Sequence, residues 1–301
     1  MAARDTIAVV GAGLMGHGIA QVFAVAGHPV RVYDAHRPAL DTLHARIRAN
    51  LDQLGMPGGA EARVSAHGDL ADAVAGAAVV FEAAPEKLDL KRALFADLVR
   101  LAAPDALLAS NTSVIPIGDI AAGLASRERI VGTHWWNPPF LVPLVEVVAT
   151  PQTAASSVDR MIDLLGSVGK QPVRVRKDVP GFVGNRLQHA LWREAIAIVA
   201  EGIADAETVD TVVKASFGRR LAVLGPLENA DLVGTDLTLD IHNVVLAHLD
   251  RSPDPSPYLQ DLVQNGRLGM KSGEGFLKWT KSDADLTRAR VAKHLMRPES
   301  A

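Results

Sequence analysis

The stretch TIAVVGAGLMGHGIAQVFAVAGHPVRVYD, residues 6–34, predicts a strand, a glycine turn, a helix and a second strand in that order. In such a turn Gly11 makes the tight bend, Gly13 lets the backbone approach a pyrophosphate, and Gly16 lets helix and strand pack closely. The helix begins at this turn, so its free N–H groups and positive dipole end are presented to the phosphates. The stretch therefore predicts a dinucleotide-binding unit.

Asp34 ends the second strand of this unit, 23 residues after Gly11. A carboxylate at this place accepts both ribose hydroxyls and repels a 2′-phosphate, which favours NAD over NADP. Arg37 lies near enough in the chain to meet a phosphate, but the carboxylate decides for NAD. The predicted cofactor-binding residues of the unit are Gly11, Gly13, Leu14, Met15, Gly16 and Asp34.

The composition is that of an ordinary globular protein, with 48% hydrophobic and 22% charged residues, and 301 residues favour two domains. No apolar run is long enough to span a bilayer, and the N-terminus lacks the pattern of a signal peptide. Cysteine is absent, which excludes disulfides and thiolate metal sites and is compatible with the cytoplasm. A net charge of −3 does not indicate the positively charged surface that binds nucleic acid. The ten histidines are scattered and predict no metal site.

The first half alternates strand-like and helix-like segments, which predicts a parallel sheet covered on both faces. The strand-like runs after residue 34 are 77–83, 106–111, 129–134, 144–149 and 171–175, and residues 87–103 are typical of a helix. Ligands of such sheets bind beyond the carboxyl ends of the strands. Four polar residues lie at or just past predicted strand ends and are expected to share one crevice: Glu86, Asn111, Ser113 and His134.

The second half has helical spacing of its apolar residues and few strand-like runs. Pro180 and Gly181 mark the change. Further helices are predicted at 206–216, 226–248 and 256–265, with a glycine-rich loop at 269–276 and a terminal helix from Lys281. The predicted fold is therefore α/β, a Rossmann-type doubly wound sheet in residues 1–179, followed by an all-α C-terminal domain in residues 180–301.

The stretch THWWNPPFLVPLVEVV, residues 133–148, combines a histidine with a carboxylate in an apolar surrounding. A neutral imidazole near pH 7 accepts the proton when a secondary alcohol is oxidised, and a carboxylate on its other nitrogen fixes the tautomer. His134 and Glu146 fit these two roles, although a single histidine in an apolar strand is more often a core residue. Trp135 either walls the pocket beside the base or packs in the core.

These motifs together resemble the L-3-hydroxyacyl-CoA dehydrogenase family over nearly the whole chain. The matching segments are 11–16, 110–113, 134–138 with Glu146, 180–186 and 269–276. The resemblance implies an NAD-dependent dehydrogenase in which His134 is the catalytic base, Glu146 orients it, and Ser113 and Asn185 contact the reacting part of the substrate. It places Glu86, Lys91 and Lys271 near the cofactor, and it implies a homodimer paired through the helical half.

Asn111 is a further candidate for a cofactor contact, and two of the cofactor assignments have alternatives. Asn111 either contacts the cofactor or caps a turn, and Glu86 with Lys91 either contacts the cofactor or forms a solvated helix pair.

The chain departs from the acyl-CoA branch of this family at two places. That branch usually has a long, lysine-rich helical arm after the second strand, whereas residues 36–64 contain no lysine, with Arg46 and Arg48 as candidates to replace the lysines. The segment 216–228, SFGRRLAVLGPLE, is more similar to relatives that act on small free acids: gulonate dehydrogenase (lambda-crystallin), carnitine dehydrogenase and a pyridine-carboxylate dehydrogenase.

We therefore expect a small 3-hydroxy carboxylate as substrate, with Arg220 as the partner of its carboxylate. The alternatives are a 3-hydroxyacyl-CoA substrate and, from another class, a crystallin-like cofactor-binding protein without turnover.

Overall fold

The computed structural model describes residues 4–296 and divides them into two compact units. One unit comprises residues 4–186 with 294–296, and the other comprises residues 187–293. The predicted domains, 1–179 and 180–301, also include residues 1–3 and 297–301, which lie outside the described residues. Within residues 4–296, no helix combines the length and the apolar character that crossing a membrane requires.

The first unit is built on a sheet of eight strands. These are β1 Ile7–Val10, β2 Val30–Tyr33, β3 Val64–His67, β4 Val79–Glu82, β5 Leu107–Ser110, β6 Ile130–Trp135, β7 Leu144–Val148 and β8 Gln171–Val175. The helices between them are α1 Leu14–Val25, α2 Arg37–Asp41, α3 Leu43–Gln53, α4 Leu70–Val74, α5 Leu88–Leu101, α6 Ile117–Ile120 and α7 Ala155–Ser167. The predicted Rossmann-type architecture is confirmed.

The strands lie in the order β3-β2-β1-β4-β5-β6-β7-β8. All neighbours are parallel except β6 and β7, which pair antiparallel, so the prediction of a parallel sheet is wrong at this pair. Only residues 136–143 connect the two strands, and a parallel pair needs a crossover of a dozen or more residues. The sequence patterns also do not predict β3, whose four residues VSAH carry too little apolar character.

The sheet is covered on both faces, and β1 contributes side chains to the buried cluster on each face. Val9 belongs to one buried cluster and Val10 to the other, because successive side chains of a strand point to opposite faces. Phe23 of α1 packs in the first cluster and Phe95 of α5 in the second. Strands buried on both faces explain why the apolar runs in the sequence are nearly continuous.

Beyond β8 the chain is helical, as predicted. The helices are α8 Gly184–Ala200, α9 Ala206–Ala215, α10 Pro226–Val233, α11 Thr235–Val245, α12 Pro257–Gln264 and α13 Lys281–Leu295. The predicted helix over 226–248 is divided at Gly234, whose φ of 106° does not continue a helix.

A buried ion pair joins the end of β4 to α5. Lys91 Nζ lies 2.7 and 3.0 Å from the two carboxylate oxygens of Glu82, and both side chains are fully buried. Glu82 also accepts hydrogen bonds from the Ser110 hydroxyl at 2.6 Å and from the backbone N–H of Ala84 at 2.7 Å. Because a buried charge is costly without a partner, Glu82 and Lys91 each require the other.

We expect Lys91→Met to lower the free energy of unfolding by about 3–5 kcal/mol, because it leaves the Glu82 carboxylate buried without its counter-ion. Urea denaturation measures this loss. The control is Arg100→Met, which removes the partner of Asp97 from an exposed pair and should change stability little. Equal losses in the two variants would contradict the expectation.

Candidate active site

The glycine turn after β1 has the shape that a dinucleotide requires. Gly11 has a φ of 107°, and a Cβ on it would lie 2.6 Å from the carbonyl oxygen of Ala83. A Cβ on Gly16 would lie 1.7 Å from the carbonyl oxygen of Gly11. Gly13 instead faces open space, since among the described residues only Gly13 itself and its chain neighbours have atoms within 4 Å of a Cβ position. This space adjoins the N-terminus of α1, so the turn fits a pyrophosphate.

Asp34 and Arg46 hold the glycine turn from two sides. The two carboxylate oxygens of Asp34 accept hydrogen bonds from the backbone N–H groups of Ala12 and His36, both at 2.7 Å. Arg46 Nη2 donates to the carbonyl oxygens of Ala12 and Ala39, also at 2.7 Å. Each carboxylate oxygen accepts more than one hydrogen bond, so Asp34 keeps acceptor capacity for ribose hydroxyls.

The other residues predicted around this turn differ in their surroundings. Leu14, at the first position of α1, is 65% exposed, whereas Met15 packs against the first core. The exposed Arg37 pairs with Asp41 at 3.1 Å.

Glu86 holds the loop that follows β5. Its Oε1 accepts hydrogen bonds from the Thr112 hydroxyl at 2.6 Å and from the backbone N–H groups of Ser113 and Val114 at 2.8 and 3.1 Å. Burial alone would raise the pKa of Glu86, but these bonds and the charge of Lys91 together lower it. The ionised carboxylate therefore fixes the backbone on which Ser113 is carried.

Lys91 does not have the place predicted for it. Its side chain has no exposed surface, and Nζ lies against Glu82, 3.3 Å from the carbonyl oxygen of Ala84 and 3.4 Å from Glu86 Oε2. The prediction of a direct cofactor contact by Lys91 is therefore corrected, and so is the alternative of a solvated pair. Lys91 supports Glu86, whose side chain remains 36% exposed.

His134 and Glu146 lie opposite each other across β6 and β7 and form a buried pair. His134 Nδ1 lies 2.7 Å from Glu146 Oε2, and the side chains are 4% and 1% exposed. Glu146 Oε1 accepts two further hydrogen bonds, from the backbone N–H groups of Val183 at 2.9 Å and Gly184 at 3.0 Å. Burial acts to raise the pKa of Glu146, but the bonds from His134, Gly184 and Val183 outweigh it and lower that pKa.

The two tryptophans after His134 lie on opposite sides of the strand. Trp135 is buried in the first core, with its ring centroid 6.2 Å from that of Phe23 and 5.9 Å from that of Phe81. The prediction of Trp135 as a substrate contact is therefore corrected. Trp136, the first residue after β6, is the ring beside the imidazole, at a centroid distance of 5.1 Å.

Two polar side chains, those of Asn111 and Asn185, connect the loop after β5 to its neighbours. Asn111 Oδ1 accepts a hydrogen bond from the backbone N–H of Trp135 at 3.0 Å, so Asn111 lies beside the end of β6. Asn185 Nδ2 donates to the carbonyl oxygen of Ser113 at 2.8 Å. Within residues 4–296 the Ser113 hydroxyl makes no hydrogen bond. The structure thus brings together Glu86, Asn111, Ser113, His134, Glu146 and Asn185.

Arg220 and Lys271 belong to the second unit. Both are exposed, and the backbone N–H of Arg220 donates to the carbonyl oxygen of Phe217 at 2.9 Å. Their predicted roles stay predictions.

Sequence reasoning did not identify Glu82, Thr112 or Arg46 as parts of the site. Glu82 lies one residue before the end of the predicted strand-like run 77–83, and a carboxylate at that position is the signal that could have identified it. Thr112 lies inside the segment 110–113 that the resemblance already used. For Arg46 the sequence gives no signal, because its contacts with the glycine turn depend on how α3 packs.

Comparison with known proteins agrees with this geometry. Residues 6–179 match the family model described as 3-hydroxyacyl-CoA dehydrogenase, NAD binding domain, and residues 181–279 match the C-terminal domain model of the same family. The chain is 36% identical over 295 residues to 5-formyl-3-hydroxy-2-methylpyridine 4-carboxylate 5-dehydrogenase of Mesorhizobium japonicum, which covers 96% of each chain.

Solved structures give the same result. A 5-formyl-3-hydroxy-2-methylpyridine 4-carboxylic acid 5-dehydrogenase, described as an NAD⁺-dependent dismutase, has a TM-score of 0.91 at 36% identity, covering 97% of this chain and 96% of that one. The 3-hydroxybutyryl-CoA dehydrogenase of Escherichia coli K12 has a TM-score of 0.75 at 38% identity, covering 92% of this chain and 60% of that one. The predicted resemblance is confirmed: the chain belongs to the 3-hydroxyacyl-CoA dehydrogenase family and is an NAD-dependent dehydrogenase.

Proposed function

We propose that the chain reversibly oxidises the secondary 3-hydroxyl of a small free 3-hydroxy carboxylate, with His134 as general base and Glu146 as its orienting partner. The observation that carries the proposal is the buried hydrogen bond of 2.7 Å between His134 Nδ1 and Glu146 Oε2. His134 lies near the carboxyl end of β6, and the glycine turn lies at the carboxyl end of β1. These are the same edge of the parallel part of the sheet, where ligands of such folds bind.

The proton path follows from the hydrogen bonds of the imidazole. An ionised Glu146 can only accept, so Nδ1 of His134 donates to it and Nε2 is left as the acceptor for the substrate proton. NAD, when bound, takes the hydride that leaves the carbon. The electron pair of the broken O–H bond then forms the carbonyl, and Glu146 stabilises the resulting imidazolium.

We assign the substrate oxygen to Ser113 and Asn185. The Ser113 hydroxyl is available as a donor, and Asn185 retains a second N–H beyond the one bonded to the Ser113 carbonyl oxygen. Such donors polarise a ketone in the reverse reaction. We further propose that Glu86, Asn111 and Lys271 lie against the cofactor.

Arg46 and Arg48, the candidate replacements for the missing lysines, support a free acid over an acyl-CoA. Arg46 already donates hydrogen bonds to carbonyl oxygens of the glycine turn and of α2. Arg48 pairs with Asp52 at 3.0 Å and with Glu61 at 3.4 Å. Helix α3 has only 11 residues, so the arm that would grip coenzyme A is short as well as free of lysine. The higher TM-score to the pyridine-carboxylate enzyme also supports this reading.

A 3-hydroxyacyl-CoA substrate is the second candidate, favoured by the 38% identity to the E. coli enzyme. A cofactor-binding protein without turnover has no use for a buried base, so His134 and Glu146 speak against that alternative.

We also propose a two-fold homodimer formed through the second unit. Helices α8, α10 and α11 have no buried residue, and Val223 and Leu227 are 83% and 80% exposed. So much exposed apolar surface on helices is typical of an interface, and a second copy of this chain is the partner that the family resemblance implies.

Within this proposal, residues 1–179 bind most of the cofactor and carry the catalytic pair, whereas residues 180–301 contribute to substrate binding and pair with the second copy. We place the protein in the cytoplasm, a location with which the absence of cysteine agrees.

We expect His134→Gln to reduce turnover by about a hundredfold or more while NADH still binds, because the variant loses the general base. Steady-state kinetics and an NADH fluorescence titration measure the two quantities. His67→Gln on the edge strand β3 is the control and should retain activity. Near-normal turnover in His134→Gln would overturn the catalytic assignment.

Arg220→Met tests the substrate class. A guanidinium binds both oxygens of a free carboxylate, so the variant should raise KM for the free acid by about one to two orders of magnitude, the scale of a lost charged hydrogen bond. Arg219→Met, beside it in the chain, should do little. Equal and small effects from both, with activity on acetoacetyl-CoA, would make the acyl-CoA alternative the better reading.

Light scattering at micromolar concentration should show a dimer. Leu227→Glu should shift it towards the monomer, because a charge at an 80% exposed apolar position opposes burial there. Met56→Glu, at an exposed position of the first unit, should leave the dimer intact. A monomeric parent chain would contradict the proposal.

A further inference from the structure

Phe182 has a backbone conformation that is unusual for its residue type. Its φ is 49°, and within residues 4–296 only Ser126 is another non-glycine residue with positive φ. An aromatic side chain disfavours this region, which glycine tolerates freely. Gly181 precedes it with a φ of 75°, so two consecutive residues are left-handed. A strained turn of this kind persists only where its surroundings hold it.

The turn directs two backbone N–H groups at one carboxylate oxygen. Immediately after Phe182, the N–H groups of Val183 and Gly184 both donate to Glu146 Oε1, at 2.9 and 3.0 Å. Successive N–H groups presented in this way form a concave anion-binding arrangement.

Glu146 has more need of these donors than the other buried carboxylate, Glu82. Glu82 has the ammonium of Lys91 beside it, whereas no lysine or arginine in residues 4–296 pairs with Glu146. The backbone turn therefore takes the place of a counter-ion. Without it, the buried carboxylate would keep only the bond from His134.

The same turn also touches the other parts of the site. The ring of Phe182 is 1% exposed and lies 5.8 Å, centroid to centroid, from the imidazole of His134. The N–H of Gly181 donates to the carbonyl oxygen of Val114 at 3.3 Å, in the loop that carries Ser113. The turn thus contacts both members of the pair and the neighbouring loop.

We propose that Gly181 and Phe182 are positioning residues of the dehydrogenase, whose left-handed turn holds the His134–Glu146 pair in its reactive geometry. The inference rests on the roles proposed above for His134 and Glu146. Neither Gly181 nor Phe182 donates or accepts a proton in the reaction. They act through Glu146.

Gly181→Ala tests the turn with a matched control. A Cβ on Gly181 would have its nearest neighbour at 3.5 Å, an ordinary contact, so the variant adds backbone strain without a clash. Gly123 has the same φ of 75°, and among the described residues only Gly123 itself and its chain neighbours have atoms within 4 Å of its Cβ position. It lies in the loop before β6, at the end opposite to His134.

Both variants should lower Tm by similar amounts. Gly181→Ala should also lower kcat about tenfold with an unchanged Kd for NADH, whereas Gly123→Ala should keep kcat within about twofold. Equal kcat in the two variants would overturn the inference.

The pH dependence of kcat gives a readout that a purely structural role would not move. Hydrogen bonds from His134, Gly184 and Val183 lower the pKa of Glu146, so loosening the two backbone donors should raise it. A carboxylate with fewer donors also accepts the imidazole proton more strongly, so the protonated, inactive form of the His134–Glu146 pair should form at a higher pH in Gly181→Ala than in the parent protein, and activity should be lost there. An unshifted acid limb would count against the inference.

If Gly181→Ala does not fold, Phe182→Leu and Phe182→Val test the same turn. Leucine keeps an unbranched Cβ at φ 49°, whereas valine is β-branched and disfavours this region more strongly. The valine variant should show the kcat loss and the leucine variant much less. Equal kcat in these two would overturn the inference, whereas an active His134→Gln variant would overturn the proposed function itself.

Discussion

His134 and Glu146 face each other because β6 and β7 run antiparallel in a sheet that is otherwise parallel. In that register the two residues are direct partners, and a slip of one residue would turn either side chain to the opposite face. The register is fixed in turn by the apolar residues of both strands, which fill the two cores. The pair is thus set by the packing of the whole sheet. The stretch 133–148 predicts which two residues pair, and the antiparallel register sets the geometry in which they meet.

Two carboxylates are buried near the carboxyl edge of this sheet, and the chain stabilises them by different means. Glu82 is neutralised by Lys91 and organises the ends of β4 and β5. Glu146 receives an imidazole and two backbone N–H groups instead. A fixed ammonium beside Glu146 would compensate the carboxylate before any proton arrived at His134. The two backbone N–H groups carry no full charge. They keep Glu146 ionised, and most of its negative charge remains to stabilise an imidazolium at His134.

Sequence reasoning identified the glycine turn, Asp34 and the residues at strand ends, because each depends on its own segment and on the rule that parallel strands end at one edge. It misplaced Trp135, since the alternation along β6 depends on which face of the strand is buried. It assigned Lys91 to the cofactor, because burial of a lysine is invisible until Glu82 is found beside it. The antiparallel pairing of β7 with β6 follows from the short connection between these strands, and the pattern of apolar runs alone does not predict strand direction.

Asp34, the residue predicted to select NAD, also fixes the glycine turn. Its carboxylate anchors the backbone N–H of Ala12, inside the glycine turn, while Arg46 holds the carbonyl oxygen of the same residue. Redesigning the enzyme for NADP by replacing this acid would therefore loosen the phosphate cradle together with the ribose contact. An engineered switch needs a side chain that still accepts from Ala12, such as asparagine or serine, before any cation is added for the extra phosphate. The predicted preference for NAD and the shape of the glycine turn thus depend on the same carboxylate, so a redesign has to address both.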